Sequence, residues 1–179
     1  MKILDATCGP KGIWYQKNHP FVTFMDKRQG TFNNVGSSNV KFSSRRKYKV
    51  YPDVVSEWKD APFPDNHFDM VIFDPPHILI ENGKKPPNMT QEYGMLNKET
   101  WRSDLKQGLK KLFKILKPNG IFIFKWCEND VTIEEVLKLF PYQPLFGSNI
   151  KKKVSTTYWI VFLKYDVNQK LNVKPCNNR

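Results

Sequence analysis

The sequence predicts an α/β domain, a doubly wound and mainly parallel sheet of seven strands that ends in an antiparallel hairpin. Three observations carry this expectation. Short apolar runs alternate with helical patterning, as in strands joined by crossovers. Several of these runs stop abruptly at an acid or a proline. The last two are joined by a short basic loop around Lys151-Lys152-Lys153, too short for a helical crossover, so they pair as a hairpin.

Residues 2–6 read as the first strand, and residues 9–18 as a turn followed by a short helix. Residues 20–25 read as a second strand ended by Asp26, and residues 48–51 as a third ended by Pro52-Asp53. Residues 70–73 are the fourth. Residues 105–116 carry Leu105, Leu109, Leu112, Phe113 and Leu116 at helical spacing and stop at Lys117-Pro118-Asn119-Gly120. Residues 121–124 follow as the fifth strand. Residues 132–140 read as an amphipathic helix in which Thr132 and Glu135 are spaced as a capping box. Residues 144–147 and 158–163 supply the final pair. Two long polar stretches, residues 27–47 and 78–99, are read as loop insertions on the ligand side, and the tail 166–179 as weakly ordered.

A chain of 179 residues forms one domain that buries about 70% of its unfolded surface. No apolar run approaches the roughly 20 residues of a membrane span. Three cysteines far apart, with no Cys/His cluster, call for neither a disulfide framework nor a metal, which leaves a reduced compartment, the cytoplasm, as the default. The net charge of +12 points to a polyanionic partner, with nucleic acid ahead of an acidic membrane surface.

The most specific motif is Asp74-Pro75-Pro76-His77, directly after the fourth strand. Two prolines fix φ and remove two backbone donors, making a rigid corner rich in acceptors. In open α/β sheets ligands bind outside the carboxyl ends of strands. A carboxylate and bare carbonyls suit an amino group, and an imidazole beside them can stack on a base or act as a general base. Asp5-Ala6-Thr7-Cys8-Gly9-Pro10-Lys11-Gly12 closes the first strand with small residues that let a ligand approach the backbone. It lacks both the dinucleotide glycine spacing and a P-loop lysine. Asp26, at the second strand end, can take both hydroxyls of a ribose. Asp53, at the third, can accept from an adenine amino group. Each acid alone is compatible with an ordinary turn; three in succession before Asp-Pro-Pro-His form a pattern.

That order of motifs, together with Leu116-Lys117-Pro118-Asn119-Gly120 before an apolar strand, resembles the class I S-adenosylmethionine-dependent methyltransferases over residues 1–165. It is most similar to the amino-methylating group with an Asp-Pro-Pro-aromatic motif, found in small stand-alone, mobile-element-like enzymes. The resemblance implies a Rossmann-like fold and S-adenosylmethionine as cofactor. Asp5, Thr7, Cys8 and Gly9 would face its methionine part, Asp26 its ribose and Asp53 its adenine. Asp74, Pro75, Pro76 and His77 would hold the target amine. His77 departs from the usual larger aromatic residue.

The reaction implied is methyl transfer to an exocyclic base amine, adenine N6 in DNA first, with RNA as the alternative. A methylated protein amide and a non-catalytic nucleic-acid-binding module remain as further readings. There is no Pro-Cys nucleophile for cytosine-C5 chemistry. Lys27, Arg28, Arg45, Arg46, Lys84, Lys85 and Lys125 are the candidate substrate contacts, with Phe32, Phe42 and Tyr48 interleaved as stacking groups. No separate recognition domain and no pocket-closing segment ahead of the first strand are expected. Target recognition then falls to the two loops, a protein partner or a second copy.

Overall fold

The computed structural model describes residues 1–33, 47–84, 94–153 and 155–165. Its strands are β1 (Ile3–Asp5), β2 (Val22–Asp26), β3 (Gly30–Asn33), β4 (Lys47–Val50), β5 (Val54–Val55), β6 (Phe68–Phe73), β7 (Leu79–Ile80), β8 (Leu96–Asn97), β9 (Leu116–Cys127), β10 (Phe146–Lys151) and β11 (Thr156–Leu163). The described helices are α1 (Trp101–Ile115) and α2 (Ile133–Leu137), with a single 3-10 turn at Trp58–Asp60.

The main sheet has seven strands in the order β10-β11-β9-β6-β1-β2-β5. All pairings are parallel except those that β11 makes with β9 and β10. This is the predicted doubly wound sheet with its closing hairpin. The chain runs outward from β1 through β2 to β5, then returns to lay β6 on the other side of β1. The topological switch point therefore lies between β1 and β6, and their carboxyl ends carry Asp5 and Asp74.

Alternation along the strands divides the core. Leu4 and Met25 face the main cluster with Phe73, Phe122, Phe124 and the apolar side of α1, while Phe24 and Val22 face a smaller one with Cys8 and Trp14. Leu105, Leu109 and Leu112 are buried along one stripe of α1, as their spacing predicts. Thr132 caps α2 by accepting from the Glu135 backbone N–H at 3.4 Å. The Glu135 carboxylate pairs with Arg102 at 2.7 Å instead of completing the box.

Three expectations need correction. Residues 9–18 form successive turns with no helix, because Gly9 and Lys11 take positive φ (47° and 58°) on either side of Pro10. The segment around Tyr48 is not the third strand of the main sheet; β4 pairs antiparallel with β3 in a side ribbon where Phe32 and Tyr48 stack at 5.4 Å. The third strand is the two-residue β5, beyond Asp53. Strand β9 also begins earlier than predicted: residues 117–120 loop out between Leu116 and Ile121, which pair with Phe68 and Met70.

Gly108 shows how α1 fits the site. A Cβ there would lie 2.1 Å from Cδ1 of the buried Trp58. Alanine gains about 1 kcal/mol in helix propensity. Overpacking costs about 1–3 kcal/mol, and a ring also wedged against Phe73 places this case at the upper end. Gly108→Ala is expected to lower stability by about 2 kcal/mol, read as a reduced urea midpoint at unchanged slope. An equal or higher midpoint would contradict the packing of Trp58 on α1.

Candidate functional site

The carboxyl ends of β1, β2 and β6 meet at one small cavity of about 30 Å³, lined in part by Thr7, Asp26, Arg28, Trp58, Asp74 and Pro76. Backbone hydrogen bonds hold these ends in register: Ala6 N–H donates to the Ile72 carbonyl, and Asp74 N–H donates to Thr7 Oγ1, both at 2.9 Å. Gly94 packs over Pro76 so closely that a Cβ would come within 2.9 Å of Pro76 Cγ. The two prolines are buried, as a rigid corner requires.

Asp5 is 1% exposed. Its carboxylate accepts from the Trp14 indole N–H at 2.7 Å and the Thr7 N–H at 3.1 Å. Burial nevertheless pushes its pKa to about 7, against those two bonds and with help from the charges of Asp74 and Asp26. Burial also drives the Cys8 thiol far above its ordinary value, with Asp5 and Asp26 adding to the effect, so Cys8 is no nucleophile.

Asp74 is about a quarter exposed and pairs with Lys125 at 2.5 Å. Burial raises its pKa, and the Lys125 ammonium opposes that rise. Lys125 sits at the end of β9, level with Asp74, with its ammonium 5.7 Å from the centroid of the Trp159 ring. Burial lowers the His77 pKa, so the imidazole is neutral at pH 7. His77 is partly exposed and stands edge-on to the fully buried Trp126 at 6.3 Å.

Asp26 accepts from Gly9 N–H at 2.9 Å and from Arg28 through backbone and side chain. Asp53 follows β4 of the side ribbon and not a strand of the main sheet. It precedes β5, and its Oδ2 accepts from Phe24 N–H at 2.8 Å, a brace between neighbouring chain segments. The acid beyond the carboxyl end of β5 is Glu57, paired with Lys27 at 3.2 Å and Lys59 at 3.4 Å. Lys27, Glu57 and Trp58 open into an adjoining groove that also takes Lys84, Met95 and Asn97.

Among the predicted basic contacts, Arg45, Arg46 and Lys85 lie outside the described residues, as does Phe42. The other four each hold a carboxylate: Lys27 with Glu57, Arg28 with Asp26, Lys84 with Glu81 and Lys125 with Asp74. A different basic surface emerges instead. A groove beside the glycine turn is lined by Lys11, Lys17 and Lys49 with Tyr48 and Tyr51, and among the described residues no acid lines it. Among the described residues no group of His, Cys, Asp and Glu is arranged to hold a metal, and no helix is long and apolar enough to cross a membrane.

The sequence matches no protein-family model and no curated protein. The fold, however, has counterparts among solved structures. N-methyltransferase NodS from Bradyrhizobium japonicum WM9 is 11% identical, with a TM-score of 0.54 over 92% of this chain and 86% of that one. The Burkholderia thailandensis 1,6-didemethyltoxoflavin-N1-methyltransferase, solved with S-adenosylhomocysteine bound, is 14% identical, with a TM-score of 0.51 over 92% of this chain and 71% of that one. The [4+2]-cyclase SpnF is 11% identical, with a TM-score of 0.55 over 92% of this chain and 74% of that one. The chain thus has the Rossmann-like fold of S-adenosylmethionine-dependent methyltransferases. That scaffold also serves a cyclase, so function rests on the site.

Proposed function

We propose that the protein is an S-adenosylmethionine-dependent methyltransferase acting on an exocyclic amine of a nucleic-acid base, adenine N6 in DNA. The observation that carries this reading is that Asp26 and Asp74 line one cavity at the switch point. An acid suited to the cofactor's ribose and an acid suited to the target amine thus face one pocket.

The residues fit the cofactor. Asp5 would meet its ammonium, the turn from Thr7 to Gly9 would pass along its methionine part, and Asp26 would take the ribose. Glu57 and Trp58, rather than Asp53, would border the adenine. Bound there, the cofactor supplies an electrophilic sulfonium methyl. The chain's own part is to orient the nucleophile. Lys125 uses Asp74 Oδ2, which directs Oδ1 to an incoming amino proton. The Asp74–Lys125 pair is neutral overall. It therefore suits an uncharged aromatic amine and disfavours an alkylammonium, which would meet Lys125. Neutral His77 offers a flat face beside the corner, and a duplex base would be flipped to reach it. The basic groove of Lys11, Lys17 and Lys49 supports a polyanionic substrate.

The test is transfer from radiolabelled S-adenosylmethionine to unmethylated DNA, RNA and lysate protein in parallel, followed by nucleoside analysis. Label in N6-methyladenine of DNA is the expected result. Label confined to RNA would move the substrate, and label confined to small amines or protein would overturn the nucleobase reading.

A further inference from the structure

We propose that Arg28 sets affinity at the nucleoside pocket by competing with the ligand's ribose for Asp26, so that binding exchanges its guanidinium for two hydroxyl groups. The inference rests on the cofactor reading above.

Asp26 is 5% exposed. Its Oδ1 accepts from Arg28 N–H at 2.9 Å and Arg28 Nε at 3.0 Å. Its Oδ2 accepts from Gly9 N–H at 2.9 Å and Arg28 Nη2 at 3.1 Å. A carboxylate has about four acceptor sites, so protein donors fill Asp26. The two backbone donors are fixed by the chain and serve to aim the carboxylate. The two guanidinium donors belong to a rotatable side chain that is 20% exposed, and they are the replaceable pair.

A ribose held by such an acid donates from two hydroxyls. The exchange therefore keeps the number of hydrogen bonds and loses an ion pair. The guanidinium also lies where the ligand must pass: a Cβ on Gly9 would sit 3.9 Å from Nη2, and Arg28 lines the cavity with Asp74. At about 30 Å³ that cavity is well below the roughly 300–1,000 Å³ of small-molecule sites, so a ligand needs the space that withdrawal of the guanidinium opens. A strut with no part in binding would produce the opposite effect on truncation, because loss of Arg28 would loosen the Asp26 carboxylate and weaken the site.

The experiment is calorimetric titration of S-adenosylhomocysteine into the full chain, Arg28→Ala and Arg28→Lys, with a thermal melt of each protein. Arg28→Ala is expected to bind about tenfold more tightly than the wild type, the equivalent of one charge-assisted hydrogen bond. Arg28→Lys should fall between, since an ammonium lacks the two-pronged fit. In the wild type the Arg28 Nε nitrogen resonance should move on saturation with the same ligand, a readout that does not depend on a variant's folding. Equal or weaker binding by a folded Arg28→Ala, or an unmoved Nε resonance in a saturated wild type, overturns the exchange and leaves the cofactor reading standing. Binding by the variant alone supports it. Binding by neither protein, both folded, overturns the cofactor reading and the exchange with it.

Discussion

Asp74→Ala is expected to lower kcat for base methylation by roughly 10³-fold, about 4 kcal/mol of transition-state stabilisation. Affinity for S-adenosylhomocysteine should change less than about threefold, or under 1 kcal/mol. The split follows from position. The Asp74 carboxylate turns to Lys125 across the sheet from β6 to β9, while its backbone N–H anchors the corner to Thr7. Truncation removes the acceptor for the amine and keeps the anchor. Steady-state kinetics on an adenine-containing oligonucleotide, with calorimetry in parallel, separates the two effects. A variant that retains full kcat would remove Asp74 from the reaction.

Lys125 gives the sharper version of the same result. Burial already raises the Asp74 pKa, and Lys125 restrains it. In Lys125→Ala that restraint is gone, so Asp74 carries a proton to higher pH and becomes a donor where the amine needs an acceptor. The acid limb of the activity profile should move to higher pH than in the wild type, with activity recovering as pH rises. The double variant should be no worse than Asp74→Ala alone, because the two side chains act as one unit. An additive double loss with no pH recovery would mean that Lys125 acts on the substrate independently.

The part of this site that was legible in the sequence was the part fixed by covalent geometry. Asp74-Pro75-Pro76 had to make a rigid strand end, and it does. Asp5 and Asp26 ended apolar runs long enough to recognise. Where the reading failed, the cause was short or displaced structure. The third main strand is only Val54–Val55, which no periodicity announces, so the segment around Tyr48 reads as that strand in its place. Charge pairing was equally hidden. A run of lysines and arginines gave a net charge, but not that Lys27, Arg28, Lys84 and Lys125 would each meet a carboxylate brought in by the fold. The Trp14 indole on Asp5 went the same way. Eight residues separate the two, and the positive φ of Gly9 and Lys11 folds one back on the other.

Asp5 carries the second large effect, and it acts on stability. Its pKa rises from 3.8 to about 7 on folding. The folded chain then binds more protons than the unfolded chain between those values, so stability falls as pH rises from about 4 to about 7 and levels off above. A shift of that size corresponds to about 4 kcal/mol. Asp5→Asn carries no charge at any pH. One amide oxygen cannot fully serve both Trp14 and Thr7, which costs about 1–2 kcal/mol. The variant should therefore be more stable than the wild type by about 2–3 kcal/mol at pH 8 and less stable at pH 4. Urea unfolding of both proteins from pH 4 to 9 measures the difference, and a difference that does not vary with pH would show an acid ionised throughout. A buried carboxyl that destabilises the fold at neutral pH is placed for a ligand that needs the charge. An ammonium brought to Asp5 lowers its pKa, so affinity for S-adenosylhomocysteine should strengthen from pH 5.5 to 7.5 in the wild type. In Asp5→Asn binding should be weaker, and that pH dependence should be lost.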